Sequence, residues 1–174
     1  MRFPAVTFGI AHLESCRSEV QLPGFLYLYP AFRHFLQDSH GELEIHSVNT
    51  GVPHAVLFVE DADKAMVSKL GKEIRHHDHY SPAGTNVNFV QLTGNNSIHV
   101  RTYERGVGET LACGTGVTAS GLITAKLHGY ASPISVRVLG GDYLSVDFET
   151  DGNSFKNIKL TGPAEFVFTG QIEI

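Results

Sequence analysis

Tyr103-Glu104-Arg105-Gly106-Val107-Gly108-Glu109-Thr110-Leu111-Ala112-Cys113-Gly114-Thr115-Gly116 is the stretch on which the fold turns. It reads as a strand running into a glycine-rich turn, with a helix opening at Cys113. The eleven positions that follow, 117–127, carry Ala119, Leu122, Ile123 and Ala125, with Lys126 as their only charge. A helix with almost no polar face must be surrounded on all sides. The chain is therefore expected to be α+β, with β-strands wrapped around one buried helix and Cys113 at its mouth. Backbone N–H groups and the helix dipole at that position are expected to stabilise a thiolate and draw the Cys113 pKa below the ordinary ~8.5. On local sequence the residue reads as a working base or as a small buried hydrophobe.

On either side, short apolar stretches alternate with turn chemistry. Strands are expected over 55–59, 87–92, 98–103, 134–138, 143–148, 158–160 and 165–168. Gly94-Asn95-Asn96, Gly140-Gly141 and Asp151-Gly152-Asn153 mark the hairpins between them. A second helix is expected after Asp61, its cap, with Met66, Val67, Leu70 and Ile74 at helical spacing and lysines opposite. Its wet face makes it a surface helix. Within the first 44 residues, 25–35 is rich in aromatics and leucine, is broken by Pro30, and reads as a strand followed by a short helix.

The 174 residues suffice for one ordinary core. A net charge of −5 and a pI near 6.0 argue against a nucleic-acid footprint, which needs a clustered basic face. No apolar run approaches a membrane span and the first dozen residues do not read as a signal peptide, so a cytoplasmic location is expected. The two cysteines, Cys16 and Cys113, lie far apart in dissimilar surroundings, which fits reduced thiols and provides no cysteine-based zinc site.

Each candidate site has a plainer alternative. Gly114-Thr115-Gly116-Val117-Thr118-Ala119 matches a dinucleotide fingerprint, but no hydrophobic strand directly precedes it. The N–H groups of Gly114 and Thr115 could instead hold a small carboxylate beside the thiol. Glu104 and Arg105 read as a solvated charge pair, or as a clamp in which Arg105 takes a carboxylate and Glu104 an ammonium. His76-His77-Asp78-His79 invites a metal, yet histidines at a helix C-terminus are favourable without one. His54 and Asn86 sit at turns beside strands, where a structural role is the default.

Five motifs in order change that balance: Asn49-Thr50-Gly51-Val52-Pro53-His54, Gly84-Thr85-Asn86-Val87-Asn88-Phe89, Tyr103-Glu104-Arg105-Gly106 with Gly108-Glu109-Thr110, Ala112-Cys113-Gly114-Thr115-Gly116, and Leu160-Thr161-Gly162-Pro163-Ala164. Together they resemble the C-terminal half of diaminopimelate epimerase, over residues 45–174, with 1–44 left unassigned. The resemblance implies a pseudo-symmetric enzyme of two β-rich domains, each around a central helix, with the active site between them. It implies no metal, no pyridoxal phosphate and no other cofactor. Cys113 would be one of two cysteines exchanging a proton with Cα of diaminopimelate. Asn86, Arg105, Gly114 and Thr115 would bind that substrate, with Glu104 and His54 supporting the reacting centre.

Two departures follow from the same comparison. The family's glycine-rich Asn motif and its second Cys-Gly-Asn-Gly element do not occur in these residues, and Cys16 lacks the flanking glycines that would open a helix over it. Many members also carry Asn where this chain has Val52. Inverting a stereocentre needs acid and base on opposite faces, so the chain by itself is expected not to epimerise. A missing N-terminal lobe or a homodimer would complete the pair. Alternatives are another cofactor-independent amino-acid racemase of the superfamily, or a non-catalytic lobe that only pairs with a partner.

Overall fold

The computed structural model describes residues 16–21, 26–27, 33–38, 41–152, 154–164 and 170. Its elements are β1 (Cys16–Gln21), β2 (Leu26–Tyr27), β3 (Arg33–Asp38), β4 (Gly41–Asn49), β5 (Pro53–Phe58), α1 (Val67–Arg75), β6 (Asn86–Gly94), β7 (Ser97–Glu104), β8 (Gly108–Thr110), α2 (Gly114–His128), β9 (Ile134–Val138), β10 (Tyr143–Asp151) and β11 (Ser154–Ala164). All strands join one sheet in the order β1-β11-β10-β9-β7-β6-β5-β4-β3, with β2 on β11 and β8 on β7. The fold is α+β, and the sheet curls so that α2 touches β4, β5, β6, β7, β9, β10 and β11.

The strands are not all antiparallel. β5 pairs β6 in parallel, as β7 pairs β9. Parallel neighbours need a long crossover, usually helical. The two α-helices among the described residues serve as such crossovers: α1 links β5 to β6 outside the sheet, and α2 lies between β7 and β9 inside its curl.

The two faces of the central strands divide by the strand period of two. Val56 of β5, Val90 of β6, and Ile98 and Val100 of β7 turn inward onto Val117, Ala119, Leu122 and Ile123 of α2. Ala55, Leu57, Val87 and Phe89 turn outward onto Val67 and Ile74 of α1. With both faces covered, β5 is buried without a break over 54–57 and β6 over 86–90. Full burial of Leu122 or Ile123 contributes about 1.5–3 kcal/mol each.

α2 runs from an extended Cys113 N-cap to Gly129, which takes the left-handed conformation at φ 69° and donates its N–H to Ala125 O at 3.0 Å. Residues 116–124 are buried without exception. The hydroxyls enclosed there are satisfied within the helix: Thr118 donates to Gly114 O, Ser120 to Gly116 O and Thr124 to Ser120 O, at 2.7–3.0 Å.

Two expectations are corrected. Asp61 does not cap α1; it accepts from the N–H groups of Asp63 and Lys64 in the preceding turn, and α1 begins only at Val67 with no side-chain cap. Near the N-terminus, Phe35 lies inside strand β3 rather than in a short helix, while 28–32 falls outside the described residues. The strand expected over 165–168 also lies outside them. The described strands before residue 45 join the same sheet as the rest, and β4 itself runs across position 45.

Candidate functional site

The inward face of the sheet is layered. Beside the apolar layer around Val56, Val90 and Val100, the same alternation continues toward the N-terminus of α2 with His54, Asn86, Asn88 and Thr102. All four are buried. Strand register aligns them, with His54 opposite Asn86 and Asn88 opposite Thr102. One more inward step along β7 reaches Glu104, whose carboxylate accepts from Thr110 on β8 at 2.7 Å. A polar layer thus closes over the apolar core where α2 begins.

Cys113 sits at that opening, 7% exposed. Its Sγ lies 3.5 Å from the Thr115 hydroxyl and accepts from the Gly116 N–H. The thiol is not depressed toward a thiolate as expected. Burial pushes its pKa up, the bonds from Thr115 and Gly116 pull it back, and the Glu104 carboxylate, by its charge and as an acceptor for the S–H, raises it further. Cys113 therefore stands as a thiol facing a carboxylate.

Val117 N–H is the first in α2 to close an intrahelical bond, onto Cys113 O at 2.8 Å. The N–H groups of Gly114 and Thr115 precede it and remain without intrahelical partners, with Gly114 exposed. The Thr115 carbonyl is held by the buried Thr50 hydroxyl at 3.0 Å. Asn86 accepts the Arg105 N–H on its Oδ1 at 2.8 Å, and its Nδ2 has no partner among the described residues. Arg105 is exposed and past the strand end, one guanidinium N–H resting on Ala83 O at 3.2 Å. Glu104 and Arg105 thus diverge, the acid inward and the base to the rim.

His54 accepts on Nδ1 from Asn88 Nδ2 at 3.0 Å, and burial lowers its pKa to about 4. Glu109, inside the quoted stretch, is spent elsewhere: it takes Arg101 at 2.6–2.7 Å, while Arg101 Nη1 binds the Ala62 and Asp63 carbonyls on the outer side. His76 Nδ1 pairs with Lys72 O, and His77 Nδ1 accepts from His79 N–H. No group of three or more metal-ligating side chains occurs among the described residues. Nor do they contain a helix long and apolar enough to cross a membrane.

Asn88, Thr102, Thr110 and Thr50 belong to this constellation and were not singled out from sequence. The available signal was the period-two recurrence of amides at Asn86 and Asn88 in a stretch otherwise apolar enough to be buried. A separate cavity of about 350 Å³, lined by Glu44, His46, Phe58, Leu127 and His128, opens at the other end of α2. It is roughly 20 Å from Cys113 along the helix axis.

Among solved structures, a probable proline racemase from Agrobacterium radiobacter K84 aligns with a TM-score of 0.65 at 15% identity, covering 91% of this chain and 53% of that one. A hydroxyproline epimerase from Agrobacterium vitis aligns at 0.64 and 18%, with the same coverage. The class defined by this sheet and central helix is the racemase and epimerase fold.

Within that class, a model of the diaminopimelate epimerase family matches residues 46–167, and the chain belongs to that family. The diaminopimelate epimerase of Aquifex aeolicus (strain VF5) is 48% identical over 128 residues, 72% of this chain and 44% of that protein. That of Halorhodospira halophila (strain DSM 244 / SL1) is 39% identical over 171 residues, 98% of this chain and 56% of that protein. The second alignment reaches into the first 44 residues, where no family motif was read. The chain spans about half the length of the curated relatives it matches.

Proposed function

We propose that this chain is one catalytic lobe of a cofactor-independent, cytoplasmic diaminopimelate epimerase, residues 45–174 making up the lobe and β1–β3 extending its sheet. The observation that carries the reading is the thiol of Cys113, set at the mouth of α2 between the Gly116 N–H and the Glu104 carboxylate. Such a thiol is a proton donor. A base on the opposite face of the substrate removes the Cα proton, and Cys113 S–H delivers its own to the near face, leaving a thiolate that the Gly116 N–H and Thr115 hydroxyl receive. The stereocentre inverts in that exchange.

Charge developing on the substrate carboxylate meets fixed donors: the free N–H groups of Gly114 and Thr115, the Asn86 amide and the Arg105 guanidinium at the rim. Burial, reinforced by the Glu104 carboxylate, keeps Cys113 protonated between turnovers, and His54 lines the same polar layer. The base on the far face comes from a second lobe, since the reaction requires two groups and this lobe offers one thiol.

Incubating the purified chain with LL-diaminopimelate in D₂O tests the assignment. The expected result has two parts: no meso product forms, and diaminopimelate slows alkylation of Cys113. Rapid inversion with deuterium at Cα would show that this chain supplies both groups. A freely reactive Cys113 that saturating diaminopimelate leaves unprotected would remove the substrate assignment.

A further inference from the structure

Asn88 is fully buried, with both amide hydrogens and the amide oxygen engaged. Nδ2 donates to Ala55 O at 3.2 Å; a backbone carbonyl only accepts, so it fixes which end of the amide is the NH₂. The second Nδ2 hydrogen goes to His54 Nδ1 at 3.0 Å. Oδ1 accepts from the Thr102 hydroxyl at 3.0 Å. A ring nitrogen that accepts a hydrogen bond carries no proton, so the proton of the neutral ring resides on Nε2. That atom is buried and has no partner among the described residues. An imidazolium would set N–H against N–H at Asn88.

We propose that Asn88 is a positioning residue that locks His54 as its neutral Nε2–H tautomer, so that His54 enters the proton-transfer site as a fixed hydrogen-bond donor and not as a base. The proposal rests on the reading of the α2 mouth as that site. The same amide also braces the thiol's side of the layer: a methyl group on Gly116 would overlap Asn88 Oδ1 and stand 3.3 Å from Cys113 Sγ. Thr102 holds Oδ1 and Ala55 holds Nδ2, so the amide cannot turn over to present its oxygen to the ring. An unpaired buried N–H is costly to keep, a cost that a ligand atom accepting from Nε2 would relieve.

Long-range ¹H–¹⁵N correlation spectra of the labelled chain read the tautomer directly, with His54 assigned by the signals lost in His54→Gln. At neutral pH, wild type is expected to show an unprotonated Nδ1 and a protonated Nε2. Asn88→Asp keeps the shape but replaces the donor with an acceptor, and is expected to move the proton to Nδ1 or to charge the ring. Thr102→Val, which leaves the Ala55 anchor in place, is expected to retain the wild-type pattern. A wild-type His54 with a protonated Nδ1, or one averaging between tautomers, overturns the proposal, as does a folded Asn88→Asp with the wild-type pattern. If Asn88→Asp does not fold, the wild-type spectrum decides alone. These spectra are recorded without substrate, so they can fail while the diaminopimelate assignment holds, and the reverse.

Discussion

Cys113 shows how burial can reverse the effect of a helix terminus. The N-terminal N–H groups of α2 do favour a thiolate, yet burial and the Glu104 carboxylate outweigh them. Glu104→Gln removes both the charge and the charged acceptor, so the midpoint of the alkylation rate against pH should fall relative to wild type; an unchanged or higher midpoint would show that Glu104 does not act on the thiol. Gly116→Ala forces a methyl onto Asn88 Oδ1 and should cost about 1–3 kcal/mol in urea denaturation, with a loss under 0.5 kcal/mol as the contrary result. His54 supplies an acid-sensitive term. Its pKa is lowered to about 4 in the folded chain against 6.5 when unfolded, so the unfolded state binds more protons between those values. That contribution, on the order of 3 kcal/mol, is full above pH 6.5 and is lost as pH falls toward 4. His54→Gln should therefore flatten the fall in stability between pH 7 and pH 4.5, and an equally steep fall would contradict the assignment.

Among the elements, α1 carries a glycine in mid-helix for a steric reason. A Cβ on Gly71 would come within 2.6 Å of Tyr103 Cβ on β7, closer than real contacts allow. Alanine gains up to about 1 kcal/mol of helix propensity there, but the overlap should outweigh it, so Gly71→Ala is expected to lower the urea midpoint, and a higher midpoint would contradict this packing. The elements legible in sequence were those with a pattern of their own: Ile134–Val138 has clean alternation, and α2 announces itself by lacking a polar face. Pairing direction was not legible, because β5 beside β6 is parallel only through the route of α1 around the outside. Asp61 misled because the turn at 62–64 takes the same cap that a helix would. The site was partly legible. Glycines and charges drew the eye to Cys113, Glu104, Arg105, Gly114 and Thr115, and family motifs to His54 and Asn86. Asn88, Thr102 and Thr110 escaped because neutral polar residues within strands look like ordinary solvent-facing positions until the sheet curls them inward.

At the scale of the whole molecule, the sheet wraps α2 so that its polar layer and the thiol lie at one end, while the far end holds a separate cavity beside Leu127 and His128. Exposed apolar side chains accompany the thiol end: Leu111, 69% exposed, directly precedes Ala112-Cys113, and Val107, 75% exposed, tops the β7–β8 turn. On the proposed reading, the lobe at 45–174 brings the thiol of Cys113 to a reaction that needs two acid/base groups, and it is expected to act only when the second is supplied. The most direct measurement follows from the 48% identity with the Aquifex aeolicus protein. A chimera in which residues 46–167 of this chain replace the matching segment of that relative, retaining its other lobe, is assayed for interconversion of LL- and meso-diaminopimelate. The chimera should invert the substrate, and Cys113→Ala in it should abolish inversion while substrate still binds. A folded, substrate-binding chimera that is inactive, or one whose activity survives loss of the Cys113 sulfur, would contradict the account.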